Sequence, residues 1–135
     1  MDENLEANKQ TVINFCKTAF IEKDPEKAMR LYVGSYYKQH NPFIQDGKQA
    51  FINYMKHRIN DKFKRQFEYK RVIAEGDYVV LHVRQILGED DKDFTIAPNG
   101  KAVIDIFRLE NGKIVEHWDV VQMIPAQSMN NNTMF

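Results

Sequence analysis

The segment 103–121 limits most strongly what this chain can fold into, because two apolar runs flank the dipeptide Asn111-Gly112. Asn-Gly tolerates the positive φ angles of a type I′ turn, whose twist matches that of two paired antiparallel strands. Both flanking runs are rich in β-branched and aromatic residues, which strands favour. The sequence therefore predicts a β-hairpin here, with one aspartate in each strand, Asp105 and Asp119.

These two aspartates stand out because an ionised carboxylate in a buried strand costs free energy unless it has a partner. Side chains alternate between faces, so Asp105 shares a face with Phe107, and Asp119 shares a face with His117. Partners across a two-residue turn have numbers that sum to 223 or 224, which places Asp105 opposite Trp118 or Asp119. A one-residue bulge or slip would, on this interpretation, turn Asp119 outward and bring Trp118 inward.

The rest of the chain changes from a helical to a β-strand pattern near residue 60. Apolar residues recur at helical spacing in three segments, 5–21, 25–33 and 47–60. Strands are predicted from about residue 65, with 65–74 paired to 78–87 as a hairpin. Segment 36–43 is predicted to be irregular, because Pro42 restricts the residue before it. The pattern predicts an α+β fold in which three N-terminal helices pack on a mainly antiparallel sheet.

Composition narrows the class of protein. The 135 residues predict one domain over 1–125, followed by a polar tail, 126–135, that we expect to be mobile. Lys plus Arg and Asp plus Glu number 19 each, so neither nucleic acid nor a membrane is an expected partner. The acidic amino terminus and the single Cys16 favour a cytoplasmic protein without a disulfide. No zinc or phosphate-binding motif is present, so no metal or cofactor is expected, and the acidic loop 88–93 is interpreted as a solvated connection.

Polar residues within apolar strands and in one aromatic loop are the candidates for chemistry. We expect His40, His82, Asp105 and Asp119 to point into one cavity, with Arg84 beside them and Trp118 on the opposite face. Burial there would raise a carboxylate pKa toward neutrality and suit it to proton transfer. The alternative is structural: each histidine bonds to one partner, and the aspartates pair with arginines such as Arg84 or Arg108.

Several motifs resemble the SnoaL-like polyketide cyclase family of the nuclear transport factor two-like superfamily. They are Tyr37-Lys38-Gln39-His40-Asn41-Pro42, Glu75-Gly76-Asp77-Tyr78-Val79-Val80-Leu81-His82-Val83, Asp105-Ile106-Phe107-Arg108 and Gly112-Lys113-Ile114-Val115-Glu116-His117-Trp118-Asp119. The resemblance extends to about Pro125. It implies a conical α+β barrel whose helices and curved sheet enclose one deep pocket, often in a homodimer packed sheet to sheet.

The resemblance also implies roles for individual residues. The cyclases carry an aspartate that acts as acid and base, and Asp119 matches it. Fourteen positions earlier, where the cyclases have a histidine, this chain has Asp105. Related proteins predicted to catalyse aldol-type condensation carry His-Val-His where this chain has His82-Val83-Arg84.

We therefore expect a cofactor-free lyase or isomerase that acts on a small apolar carbonyl compound, by aldol-type condensation or cyclisation. The expected catalytic residues are Asp119, Asp105, His40 and His82, and the expected ligand-binding residues are Arg84, Tyr37, His117 and Phe107. The alternative is a binding protein that holds a small hydrophobic ligand without turning it over. A homodimer is expected in either case.

Overall fold

The three predicted helices are confirmed near their predicted bounds. The computed structural model describes residues 2–60 and 63–135. The helices are α1 (Asp2–Cys16, extended by a π-helical turn over Lys17–Ile21), α2 (Pro25–Tyr32) and α3 (Lys48–Asn60). Asp24 precedes α2 and accepts the backbone N–H of Lys27 at 3.0 Å, which satisfies one of the unpaired N–H groups at the helix start.

The strands form one curved sheet within the described part of the chain. They are β1 (Val33–Gln39), β2 (Arg65–Glu75), β3 (Tyr78–Leu87), β4 (Lys101–Glu110) and β5 (Lys113–Met123). The order is β1-β5-β4-β3-β2, and every neighbouring pair is antiparallel except β1 and β5, which run parallel. The three helices pack on this mostly antiparallel sheet, so the fold is the predicted α+β cone.

Strand β1 corrects the prediction of an irregular segment over 36–43. Residues as far as Gln39 are extended because β5 supplies a partner, with Gln39 opposite His117. Pairing with another strand thus overrides the weak local preference of this segment. His40 follows the strand, and its N–H donates to the carbonyl of His117 at 3.0 Å. Side chains of β1 are thereby placed beside those of β5.

The predicted hairpin between β4 and β5 is confirmed, with Asn111-Gly112 as its turn. Their φ angles are +50° and +77°, the positive values that a type I′ turn requires. Next to the turn, Glu110 pairs with Lys113 and Leu109 with Ile114. The partner numbers sum to 223 at this end of the hairpin.

A one-residue bulge at Val115 then changes the register. Beyond it the partner numbers sum to 224, so Asp105 lies opposite Asp119 and Ile106 opposite Trp118. Without the extra residue, Asp105 would lie opposite Trp118. The expectation that a bulge would turn Asp119 outward is therefore wrong, because the bulge is what brings Asp119 onto the face of Asp105.

Aromatic side chains join the helical layer to the concave face of the sheet. Phe15 of α1 lies 5.6 Å from Phe51 of α3 and 5.9 Å from Phe107 of β4, measured between ring centroids. Phe15 and Phe107 are almost completely buried. Rings at these separations interact favourably beyond the area they bury. They hold the helices against the sheet around a central space.

The acidic loop after β3 is an ion-pair cluster and not the solvated connection that was expected. The side chain of Asp91 is fully buried and accepts Arg65 Nε at 2.9 Å. Asp93 Oδ2 accepts Arg65 at 2.6 Å, Arg58 at 3.1 Å and Lys101 at 3.2 Å. Burial alone would raise the pKa of Asp93, but hydrogen bonds from these cations hold it well below its usual value.

In the described residues, none of the helices is long and apolar enough to cross a membrane.

Candidate functional site

A cavity of about 120 Å³ lies between the helices and the concave face of the sheet. Aromatic and aliphatic side chains form most of its wall, among them Phe15, Phe20, Phe51, Val83 and Val103. A cavity of about 150 Å³ accommodates benzene in another protein. This cavity therefore suits a ligand about the size of one small ring.

The two aspartates and one histidine meet in this cavity. Asp105 and Asp119 are direct cross-strand neighbours, and His117 is two residues from Asp119 on the same face. His117 Nε2 lies 2.9 Å from Asp105 Oδ1 and 3.9 Å from Asp119 Oδ2. The imidazole thus contacts one carboxylate directly and lies near the other, which offsets the repulsion between two facing acids.

Gln39 at the end of β1 fixes the orientation of the His117 ring. Its side-chain oxygen accepts the backbone N–H of Asn41 at 3.1 Å and lies 2.8 Å from His117 Nδ1, and its amide nitrogen donates to the Tyr37 hydroxyl at 3.2 Å. Because a backbone N–H can only donate, the oxygen is an acceptor and His117 Nδ1 carries a hydrogen. The contact of Nε2 with Asp105 is then attractive only with a proton between them. This pair therefore holds a proton beside the third group of the site.

Asp119 is the carboxylate best placed for proton transfer. The amide nitrogen of Asn41 donates to both of its oxygens, at 2.8 and 3.0 Å. Burial raises the pKa of Asp119 above its ordinary value, and the Asp105 charge adds to this, whereas His117 and the Asn41 hydrogen bond act in the opposite direction. A buried carboxyl group whose pKa is raised is better suited to accept and release a proton than a solvated carboxyl group at its ordinary pKa.

The prediction that His82 and Arg84 face the cavity is wrong. His82 lies opposite Ile104, on the convex face, because alternate residues of β3 point in opposite directions and the apolar residues beside it take the inward positions. Its Nε2 donates to the Met134 carbonyl at 2.8 Å, and its ring lies 5.4 Å from that of Phe135. Arg84 lies 5.6 Å from the same ring. The end of the tail 126–135 thus contacts the sheet, and the mobility of this tail stays a prediction.

His40 is also outside the cavity, contrary to the prediction. Its Nε2 lies 2.7 Å from Glu116 Oε2, and its ring stacks on Trp118 at 4.7 Å. Trp118 occupies the face opposite Asp119, as predicted. Arg108 Nε donates to Glu116 at 2.8 Å, so this arginine does not pair with either aspartate. The cause is alternation along the chain: Gln39 and Asn41 line the cavity, so His40 between them points to the convex side.

Three of the predicted ligand-binding residues, Tyr37, Phe107 and His117, do line the cavity, although their roles stay predictions. Sequence analysis missed Gln39 and Asn41, and it also missed Tyr69. The two-residue spacing from Tyr37 through Gln39 to Asn41 was the available signal for a strand. This spacing competes with Pro42, which restricts the residue before it and predicts a loop.

The site also offers the donor set of a cation site. The ligand atoms of Asp105, His117 and Asp119 all lie within 4.8 Å of one another. Two carboxylates and an imidazole are ligands that several divalent metals accept. The expected lack of a metal therefore stays a prediction, with these three residues as the ones that would hold an ion.

The sequence matches a family model at residues 12–117, and the description of this model is SnoaL-like domain. The matched region covers most of the 135 residues. The chain belongs to the SnoaL-like domain family. The predicted resemblance is thereby confirmed at the level of the family. A comparison with curated protein sequences finds no significant match.

Solved structures share the fold of this SnoaL-like chain. TsrD from Streptomyces laurentii is 21% identical with a TM-score of 0.65, and the alignment covers 85% of this chain and 88% of TsrD. AclR from Streptomyces galilaeus, a proposed hydroxylase, is 19% identical with a TM-score of 0.66, covering 88% and 81%. A proposed SnoaL-like polyketide cyclase from Jannaschia sp. CCS1 is 19% identical with a TM-score of 0.68, covering 87% and 86%. At these identities the likeness concerns the fold alone.

Proposed function

We propose that this SnoaL-like protein is a cofactor-free lyase or isomerase that moves a proton on a small, largely apolar carbonyl compound, in an aldol-type condensation or a cyclisation. The observation that supports this most is the position of Asp119. Its carboxylate lines a mainly apolar cavity, and burial raises its pKa. In this proposal Asp119 is the general base that removes a proton next to the substrate carbonyl.

The neighbouring pair of His117 and Asp105 has a supporting role in this proposal. The proton that they share removes one of the two negative charges that would otherwise face each other in the cavity. Asp119 is then free to act as the single base. His117, whose Nε2 lies 3.9 Å from Asp119, is the group that can return a proton to the product.

The alternative, a protein that binds a hydrophobic ligand without turnover, would be favoured by a network in which every charge is paired. Asp105 fits that description, because it contacts His117 at 2.9 Å. Asp119 does not, because its hydrogen-bond donor is the neutral amide of Asn41 and the imidazole is farther away, at 3.9 Å. This difference between the two carboxylates favours catalysis.

Exchange of ketone α-hydrogens for deuterium in D₂O, followed by proton NMR, tests the proposal without the natural substrate. Cyclopentanone and cyclohexanone are suitable probes for a cavity of about 120 Å³. We expect the protein to accelerate exchange and Asp119→Asn to lose on the order of a hundredfold of this rate. Asp90→Asn, at an exposed carboxyl group, is the matched control. Ketone binding without exchange would instead support the binding protein.

We also propose that the protein forms a homodimer through the convex face of its sheet, with a second copy as the partner. The exposed Ile104 and Val120 and the half-buried Trp118 form part of an apolar patch there, and Val120 is 73% exposed. Contiguous patches of this kind commonly mark interaction sites. Light scattering should give a dimer mass for the unchanged protein and a monomer mass for Val120→Lys.

We further propose that the protein is located in the cytoplasm, and fractionation of expressing cells tests this.

A further inference from the structure

Tyr69 is a polar residue of the cavity wall that has no role in the proposed reaction described above. It lies on β2 opposite Val83, and both side chains line the cavity that contains Asp105 and Asp119. Its phenol oxygen is shielded from solvent and has no hydrogen-bond partner among the described residues. The thiol of Cys16 lies close to this hydroxyl and makes a weak polar contact with it, but the contact falls outside ordinary hydrogen-bond geometry and leaves the O–H available to a better acceptor than sulfur.

The other polar groups of the wall already have partners. Gln39 is bonded to His117, Asn41 to Asp119, and Lys101 to an aspartate of the loop cluster. In the part of the chain that the structure describes, the buried side-chain atoms without a partner are the Tyr69 hydroxyl and Arg84 Nε, and Arg84 is on the convex face. An unpaired hydroxyl in a cavity is unfavourable, and a ligand that accepts its hydrogen bond removes that cost.

The hydroxyl can act only as a neutral donor. Burial, followed by the charges of Cys16 and Asp105, raises the pKa of Tyr69 far above its usual range. The O–H therefore persists at every physiological pH, including when a negative charge develops on a ligand atom in front of it. The small volume of the cavity means that a ligand which fills it contacts opposite walls at once.

We propose that Tyr69 donates a hydrogen bond to the carbonyl oxygen of the substrate and stabilises the enolate that forms when Asp119 removes the adjacent proton. This assignment rests on the proposed function. The carboxylate of Asp119 takes the proton, the C–H electron pair becomes the new C=C bond, and the carbonyl π electrons move to the oxygen. Tyr69 keeps its proton throughout. A preorganised donor aimed at developing charge is among the largest contributions to catalysis.

Tyr69 thereby supplies a donor inside the cavity, where His40, His82 and Arg84 were expected but do not lie. The ligand class follows from the donor. It is a small ketone, enol or phenol with one oxygen acceptor and an otherwise apolar body, since most of the cavity wall is aromatic and aliphatic.

Binding of 4-nitrophenol tests this assignment independently of turnover, because its coloured phenolate resembles an enolate. The host is Asp119→Asn, whose amide imitates the protonated base and removes a repelling charge. We expect the phenolate to bind, and the added Tyr69→Phe change to weaken it by tenfold or more, since a hydrogen bond to a charged acceptor is lost. Tyr78→Phe, which removes a phenol from the exposed convex face, is the matched control and should leave affinity unchanged.

Thermal melting of Tyr69→Phe provides a second measurement. Removing a hydroxyl without a partner should leave the melting temperature unchanged or raise it, whereas a lower value would mean that the hydroxyl has a protein partner and would overturn the proposal. No phenolate binding to Asp119→Asn, or equal binding with and without the Tyr69 hydroxyl, would overturn it as well. Weaker binding in Tyr69→Phe, together with unchanged ketone exchange in Asp119→Asn, would refute the base assignment alone.

Discussion

Replacing Asn41 by alanine should make the ionised form of Asp119 less stable. The amide nitrogen of Asn41 donates to both carboxylate oxygens, at 2.8 and 3.0 Å. Hydrogen bonds to a charged group contribute about 1.5–3 kcal/mol, and about 1.4 kcal/mol corresponds to a tenfold change in an equilibrium. At a fixed pH within the titration range, the ratio of ionised to protonated Asp119 should therefore fall by roughly ten- to a hundredfold.

Carboxyl carbon NMR on protein labelled at aspartate measures this directly. Asp119 should titrate above its ordinary pKa in the unchanged protein, because burial raises the pKa of this carboxyl group. The midpoint should move to still higher pH in Asn41→Ala, since one of the groups that lower the pKa is lost. Asn53→Ala, at an exposed asparagine of α3, is the matched control and should leave the midpoint unchanged.

Asn41 also accepts the backbone N–H of Phe43 at 2.8 Å, so the alanine variant changes the loop as well. Asn41→Asp keeps an acceptor for that N–H but replaces the donor by a second carboxylate, and it should move the midpoint at least as far.

The direction in which stability changes with pH follows from the shift in the Asp119 pKa on folding. When folding raises the pKa of a carboxyl group, the folded state loses stability as the pH rises from the unfolded-state pKa to the folded-state pKa. Asn41→Ala should therefore lower the free energy of unfolding more above this pH range than below it. A midpoint that stays in place or moves down in both variants would refute the geometry of the site.

The other predictions concern the loop cluster and the convex face. Asp91→Ala removes one of the two carboxylates that pair with the buried Arg65, while Asp93 keeps its contact at 2.6 Å, so denaturant unfolding should show a loss of about 1.5–3 kcal/mol; a loss below about 1 kcal/mol would contradict the burial of this pair. The pKa of Asp91 is lowered because its hydrogen bonds to Arg65 and backbone N–H groups outweigh burial, and the pKa of Asp93 is lowered as well. Their stabilising contribution should be complete above about pH 4 and decline as the pH falls through the folded-state values, which denaturant titrations at several pH values measure. His82→Ala should leave ketone exchange unchanged, because His82 lies on the convex face; a large loss would place it back in the site.

Part of the site was predictable because it depends on local spacing. The Asn111-Gly112 turn specifies a hairpin, and its two arms carry Asp105 and Asp119. The family motifs pointed to Asp119 in particular. The turn alone did not decide whether Asp119 or Trp118 faces the cavity. The hairpin contains both pairings: partner numbers sum to 223 next to the turn and to 224 beyond the bulge.

The histidines show where local patterns fail. His82 interrupts the densest apolar run, which suggested a buried functional residue. On a strand, however, every second side chain points to the opposite face, and His82 is one of those on the convex face. His40 follows a short strand whose existence depends on parallel pairing with β5, a partner nearly 80 residues later in the chain. The same pairing brings Gln39 to His117, so this contact was hidden from the sequence as well.

The sequence by itself determined the helices, the antiparallel hairpins and the family, because each depends on short-range periodicity and turn chemistry. Tertiary structure decided which side chains share the cavity. The bulge at Val115 set the facing of Asp119, β1 supplied Gln39, and the curved sheet brought Tyr69 of β2 to the same space as the acids of β4 and β5. The physical reason is that the orientation of a strand side chain depends on its register with strands distant in sequence, and a shift of one residue reverses it.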